Sequence, residues 1–115
     1  KSDGLILGAT FKENCPDFRN SKVDDLIKLF QPKVKSLAVY DPYYTKDLKI
    51  FSNKKNLFKT LTQVLKKKYD FIIIAVPHKA FKNIGYKSIK NILKTKSTLY
   101  DLKSLFSADK SDLRL

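Results

Sequence analysis

The chain is poor in the residues that build the commonest catalytic and structural centres. It holds one cysteine, Cys15, and one histidine, His78. A single cysteine excludes an internal disulfide and leaves the redox compartment open, with cytoplasm the simplest choice. One cysteine and one histidine cannot furnish an ordinary zinc site, so no metal cofactor is expected. Glycine is equally scarce, with three in 115 residues. No G-x-G-x-x-G follows a strand pattern, and no P-loop, H-E-x-x-H or G-x-S-x-G occurs. Anion binding must therefore come from side chains and helix starts, because there is no glycine-rich loop to wrap a phosphate. Long apolar runs are also missing. None approaches the ~20 residues that span a bilayer, and the longest, Phe71 through Pro77, is short, β-branched and reads as a buried strand.

Arginine is nearly absent from a strongly basic chain. Of 24 basic residues only Arg19 and Arg114 are arginines, and the net charge is +13. Such a charge fits either an electrostatic footprint for nucleic acid or an anionic membrane, or a solvated coat of lysines. Guanidinium is the group favoured for reading bases and gripping phosphates bidentately. The lysines are also spread along the chain, with Lys66, Lys67 and Lys68 as the only triplet. Both features favour the solvated coat.

What is present fits one ordinary domain spanning residues 1–115. An apolar fraction of 43% and this length allow a single core without staples. The chain opens Lys1-Ser2-Asp3, with no initiator methionine and no signal pattern, and reads as a piece of something longer. Strand patterns fall at 5–7, 37–40, 49–51, 71–76 and 98–100. Helical patterns fall at 21–30, 57–67 and 86–93, the second with Asn56 as its expected N-cap. This alternation predicts an α/β fold: a Rossmann-like three-layer sandwich of about five mainly parallel strands with helices on both faces. The tail beyond Lys103 is largely polar and expected to be loosely held, with Leu113 and Leu115 its last apolar residues.

The most informative stretch is 11–22, Phe-Lys-Glu-Asn-Cys-Pro-Asp-Phe-Arg-Asn-Ser-Lys. It follows the first strand and leads into the first helix, and such loops at strand carboxyl ends are where open α/β sheets hold ligands. Fixed cations, free N–H groups and an aromatic face suit a phosphorylated ligand. Residues Phe11-Lys12, then Asp17-x-Arg19-Asn20-Ser21-Lys22-Val23, resemble the opening of the C-terminal domain of the UDP-glucose/GDP-mannose dehydrogenase family. The form Phe-Lys-Glu-Asn-Cys-Pro-Asp is most similar to the branch that oxidises UDP-N-acetylhexosamines. Weaker echoes follow at Val39-Tyr40-Asp41-Pro42, Tyr69-Asp70, His78-Lys79-Ala80-Phe81 and Tyr100-Asp101-Leu102-Lys103, so the resemblance covers nearly the whole chain.

The resemblance implies a UDP-sugar-binding domain of an NAD-dependent nucleotide-sugar 6-dehydrogenase. The whole enzyme would oxidise the sugar's C6 alcohol to a carboxylate in two hydride transfers, through a thioester on a cysteine of another domain. Composition leaves Lys12 open between a surface lysine and a phosphate contact, and Phe11 between a core plug and a pocket wall. The resemblance assigns both to the UDP-sugar. It likewise assigns Lys103 to the UDP-sugar, at a position where the UDP-glucose branch tends to carry arginine. Arg19, which could otherwise pair with Asp17 or Asp24, is assigned toward NAD held mainly by an N-terminal domain. Implied partners are that domain and a central domain of the same chain, in a homo-oligomeric cytoplasmic enzyme feeding capsule or O-antigen polysaccharide synthesis.

Cys15 is not taken as a nucleophile. It precedes Pro16 in a loop with no histidine nearby in sequence to activate it. Alone, then, the domain is expected to be inactive. His78, at the end of the most buried strand, is either a general base or ligand contact, or a histidine bonding to backbone. With no partner carboxylate in view, the backbone role is favoured. Asp41 is left unassigned. Two rival functions remain: a basic nucleic-acid-binding module, with salt-steep affinity, and a non-catalytic α/β interaction domain. A glycine-rich cysteine motif and a G-x-G-x-x-G upstream of Lys1 would decide against both.

Overall fold

The computed structural model describes residues 2–10, 14, 18, 22–45, 56–101 and 113–114. Within them five strands form one sheet: β1 (Asp3–Leu7), β2 (Ser36–Tyr40), β3 (Tyr69–Ile74), β4 (Leu93–Asp101) and β5 (Leu113–Arg114). Their order is β2-β1-β3-β4-β5, and every pairing is parallel. The helices are α1 (Val23–Phe30), α2 (Leu61–Leu65), α3 (Lys79–Ile84) and α4 (Tyr86–Asn91).

Strand alternation sends successive side chains to opposite faces. Ile6, Val39 and Ile73 pack with Val23 and Ile27 of α1 on one face. Leu5, Leu7, Ile72, Ile74 and Leu99 pack with Val64 of α2, Phe81 of α3 and Ile89 of α4 on the other. Strands buried on both faces read as continuous apolar runs, as 5–7 and 71–76 do. The result is the expected Rossmann-like three-layer α/β sandwich.

Four elements differ from the sequence pattern, one of them β4, which begins at Leu93 rather than 98 and so ends the helix expected over 86–93 at Asn91. The helix expected over 57–67 starts only at Leu61, because Thr60, not Asn56, caps it. The Thr60 hydroxyl accepts the Gln63 N–H at 3.2 Å while the Gln63 side chain accepts the Thr60 N–H at 2.9 Å, a capping box that fixes the start. The residues before it run beside β2: Phe58 bridges to Val39, and the Lys59 N–H donates to the Val39 carbonyl at 2.9 Å. Helix α3 was not visible in the pattern; it is short and buries only Phe81. Leu113 and Arg114 pair with Tyr100 and Asp101, so this part of the tail is tied to the sheet. The strand expected at 49–51 lies outside the described residues.

At the amino edge of the sheet the lysines meet their few acids. Asp3 accepts the Ser36 hydroxyl at 2.6 Å and lies 3.6 Å from both Lys67 and Lys94, while Lys94 also reaches Asp70 at 3.2 Å.

The strand order reverses at β1. The chain leaves β1 through α1 to β2 on one side, then crosses back to β3 on the other. The helices that follow β1 and β3 therefore pack on opposite faces, α1 on one and α3 on the other, and such a reversal at the carboxyl edge is where open α/β sheets place ligands. In register, Leu7 is level with Tyr40 and Ile74, and Ile74 with Asp101.

Candidate functional site

Three strand ends converge at this reversal. Gly8, Ala9 and Thr10 follow β1, Asp41 follows β2, and Ala75 to His78 follow β3. Gly8 has φ +98°, and a Cβ there would stand 2.6 Å from Val76 Cβ and 2.9 Å from its backbone nitrogen. The strand ends approach so closely because that position carries no side chain.

Asp41 is the hub. Its Oδ2 accepts the Ala9 N–H at 2.6 Å, the Thr10 N–H at 3.2 Å and His78 Nε2 at 2.9 Å. Its Oδ1 accepts the Tyr43 N–H at 2.8 Å, the turn that an aspartate before Pro42 favours. The residue is 4% exposed, so its charge is carried by N–H donors in place of water.

His78 is fully buried. Its Nδ1 accepts the Asn14 N–H at 2.9 Å, so that nitrogen bears no proton and Nε2 donates, to Asp41 with the Thr10 hydroxyl also 2.9 Å away. The rings of Tyr43 and Phe81 meet the imidazole edge-on at 5.1 and 5.4 Å. Asn14, at φ +56°, accepts the Lys79 N–H on its side-chain oxygen at 2.7 Å. A polar asparagine tolerates this left-handed conformation better than most residues.

The set resembles a hydroxyl–imidazole–carboxylate triad in composition only. In a working triad the hydroxyl and the carboxylate sit on different ring nitrogens. Here both sit on Nε2, Nδ1 is taken by backbone, and all three residues are buried. The arrangement cannot relay a proton to a substrate, but it can hold three strand ends and Asn14 in fixed relation. His78 thus bonds to backbone, as the sequence favoured, and also has the carboxylate partner that the sequence did not reveal.

The residues singled out for ligand contact, Phe11, Lys12, Arg19 and Lys103, lie outside the described residues, as does Cys15. Their described neighbours are informative. Thr10 is buried, Phe18 is 3% exposed within the α1-side core, and β4 ends at Asp101, level with Ile74. Two hollows of about 500 and 580 Å³ flank β2, the second bordered by Asp41, Tyr44 and Phe58. The Tyr44 and Phe58 rings there stack at 3.9 Å. Among the described residues no three His, Cys, Asp or Glu side chains converge as a metal cluster, and no helix is long and apolar enough to cross a membrane.

A profile of the UDP-glucose/GDP-mannose dehydrogenase family, UDP binding domain, matches residues 5–108. The chain belongs to this family. As a UDP binding domain it contains, within the matched span, the last three residues of β1, all of β2, β3 and β4, the Asp41–His78 network and all four proposed contact residues. It is 40% identical over 111 residues to a UDP-N-acetyl-D-glucosamine 6-dehydrogenase of Pseudomonas aeruginosa, covering 96% of this chain and 26% of that protein. Identity is 39% over 114 residues to the enzyme of the same name from Salmonella typhi, covering 99% and 26%. The UDP binding domain thus spans about a quarter of the relatives it matches. Its fold is that of a UDP-D-ManNAc dehydrogenase from Pyrococcus horikoshii, with a TM-score of 0.69 at 22% identity over 94% of this chain and 23% of that one.

The residues of this UDP binding domain do not fit a dinucleotide site of their own. The turn after β1 has Gly8 alone where the fingerprint needs three glycines, and Gly8 serves contact with Val76.

Proposed function

We propose that this chain is the C-terminal UDP-sugar-binding domain of a longer NAD-dependent 6-dehydrogenase acting on a UDP-N-acetylhexosamine. The observation that carries the reading is the shared sheet edge. Leu7, which ends β1, and Asp101, which ends β4, are both level with Ile74 of β3, and in sequence Phe11 and Lys12 follow the first and Lys103 the second. Phe11, Lys12 and Lys103 contact the UDP-sugar, and Arg19 reaches toward NAD bound mainly by an N-terminal domain. The enzyme works as a cytoplasmic homo-oligomer supplying uronic acids for capsule or O-antigen polysaccharide. The 40% identity to UDP-N-acetyl-D-glucosamine 6-dehydrogenase supports the substrate class.

NADH absorbance tests this reading. The full-length enzyme with UDP-N-acetylglucosamine and NAD should form NADH, and this domain alone should form none. Lys12→Ala should raise KM for the UDP-sugar roughly tenfold or more, the worth of a charge-assisted hydrogen bond, with KM for NAD unchanged. Turnover by the domain alone, or an unaltered KM in the variant, would overturn it.

A further inference from the structure

We propose that His78 is a positioning residue for UDP: its buried imidazole, oriented by Asp41, fixes the Asn14 peptide and with it the loop that carries Lys12. The inference rests on the UDP-sugar reading above and adds to it the device that holds the binding loop in place.

The imidazole is a fixed point. It is fully buried, flanked by Tyr43 and Phe81, and held at Nε2 by Asp41, itself anchored by N–H groups from the ends of β1 and β2. With Nε2 committed as donor, Nδ1 is an acceptor aimed at the Asn14 N–H. Asn14 returns a second bond, its side-chain oxygen accepting the Lys79 N–H. Two bonds of opposite direction therefore clip one residue of the β1 loop to two consecutive residues after β3. A leucine could fill the same volume, but it would offer no acceptor at that point. Lys12 is two residues from Asn14, a chain span of at most about 7 Å, so a displaced Asn14 carries Lys12 with it. Misplacement of a positioned group by about 1 Å is enough to cost large factors in recognition.

The test uses the full-length enzyme with UDP itself as the calorimetric probe, alongside KM for NAD and Tm. His78→Asn places an amide oxygen near the Nδ1 position, keeping an acceptor for Asn14 while losing the bond to Asp41. His78→Gln reaches the Nε2 position, keeping the bond to Asp41 while losing the acceptor. His78→Gln should weaken UDP about tenfold, the worth of one lost bond and its loop order, and His78→Asn less than about threefold. Tm should fall more in His78→Asn, and KM for NAD should stay constant in both. Asn14→Gly, at an exposed position whose positive φ glycine accepts, keeps the N–H but removes the side-chain clip. It should weaken UDP about threefold with little change in Tm, and it keeps the test open if a His78 variant misfolds. Equal weakening by the two His78 variants, weakening that follows Tm, or unaltered UDP affinity in Asn14→Gly would each overturn the proposal. A wild-type enzyme that does not bind UDP would instead remove the UDP-sugar reading, and this proposal with it.

Discussion

Replacing Asp41 with alanine removes the acceptor of four N–H groups at once: Ala9, Thr10, Tyr43 and the His78 ring. Their costs differ. The Tyr43 N–H is only partly buried and can turn to water, and His78 Nε2 keeps the Thr10 hydroxyl at 2.9 Å. The Ala9 N–H, at 2.6 Å from the carboxylate in a fully buried residue, has no such recourse from water. Hydrogen bonds to a charged group contribute about 1.5–3 kcal/mol each, and they are not additive within one network. The loss for Asp41→Ala is therefore about 3–5 kcal/mol, a large share of the ~5–15 kcal/mol that holds a domain together. Urea unfolding followed by circular dichroism measures it. With a slope of about 1.5 kcal/mol per molar, the midpoint should fall by ~2–3 M. Asp41→Asn should cost only about 1–2 kcal/mol, because its oxygen can occupy the Oδ2 position and keep the buried donors paired. A shift below ~0.5 M for the alanine variant, or asparagine as damaging as alanine, would refute the hub role.

The close approach at the strand reversal gives a second expectation. Gly8→Ala forces a side chain into a left-handed backbone against Val76, costing about 3 kcal/mol and lowering Tm by roughly 10 °C or more; a variant that melts with the wild type would contradict it. The acid limb of stability gives a third. The Ser36 hydroxyl, then Lys67 and Lys94, hold the Asp3 carboxyl below its usual range, and the Asp3 backbone N–H, then Lys94, do so for Asp70. Their contribution is complete above the unfolded carboxylate pKa of about 3.9 and is lost as pH falls through the lower folded values. Asp3→Asn should flatten the decline in Tm below about pH 4, and an acid limb as steep as the wild type's would count against the cluster.

The fold was legible because each signal was local. The runs at 5–7 and 71–76 read as strands by their length and β-branched residues, although β3 ends at Ile74, and Val23, Ile27 and Phe30 mark one helical stripe. The apolar pattern sets the start of α2 too early because Leu57 continues it, whereas the Thr60–Gln63 capping box and the pairing of Phe58 with Val39 decide the boundary. Helix α3 offers one buried residue in six, too little for a period to show. The hub stayed hidden for a different reason. Asp41 and His78 are 37 residues apart, and Thr10 and His78 are 68 apart. Nothing in their spacing brings them together until the strand order sets β2 and β3 on either side of β1. A signal was nonetheless present: a polar residue stands within three positions after each of these strands' apolar runs, Thr10, Asp41 and His78, at the edge where ligands gather.

In the proposed function, the loop after β1 and the segment after β4 form a nucleotide half-site. A two-dimensional amide NMR titration of the chain with UDP, repeated with Lys12→Ala, tests it most directly. Shifts should be confined to the residues from Thr10 to Lys22 and to those just beyond Asp101, and should weaken or vanish in the variant. Shifts along the outer side of β2 instead, shifts unaltered by Lys12→Ala, or none at millimolar UDP would contradict it.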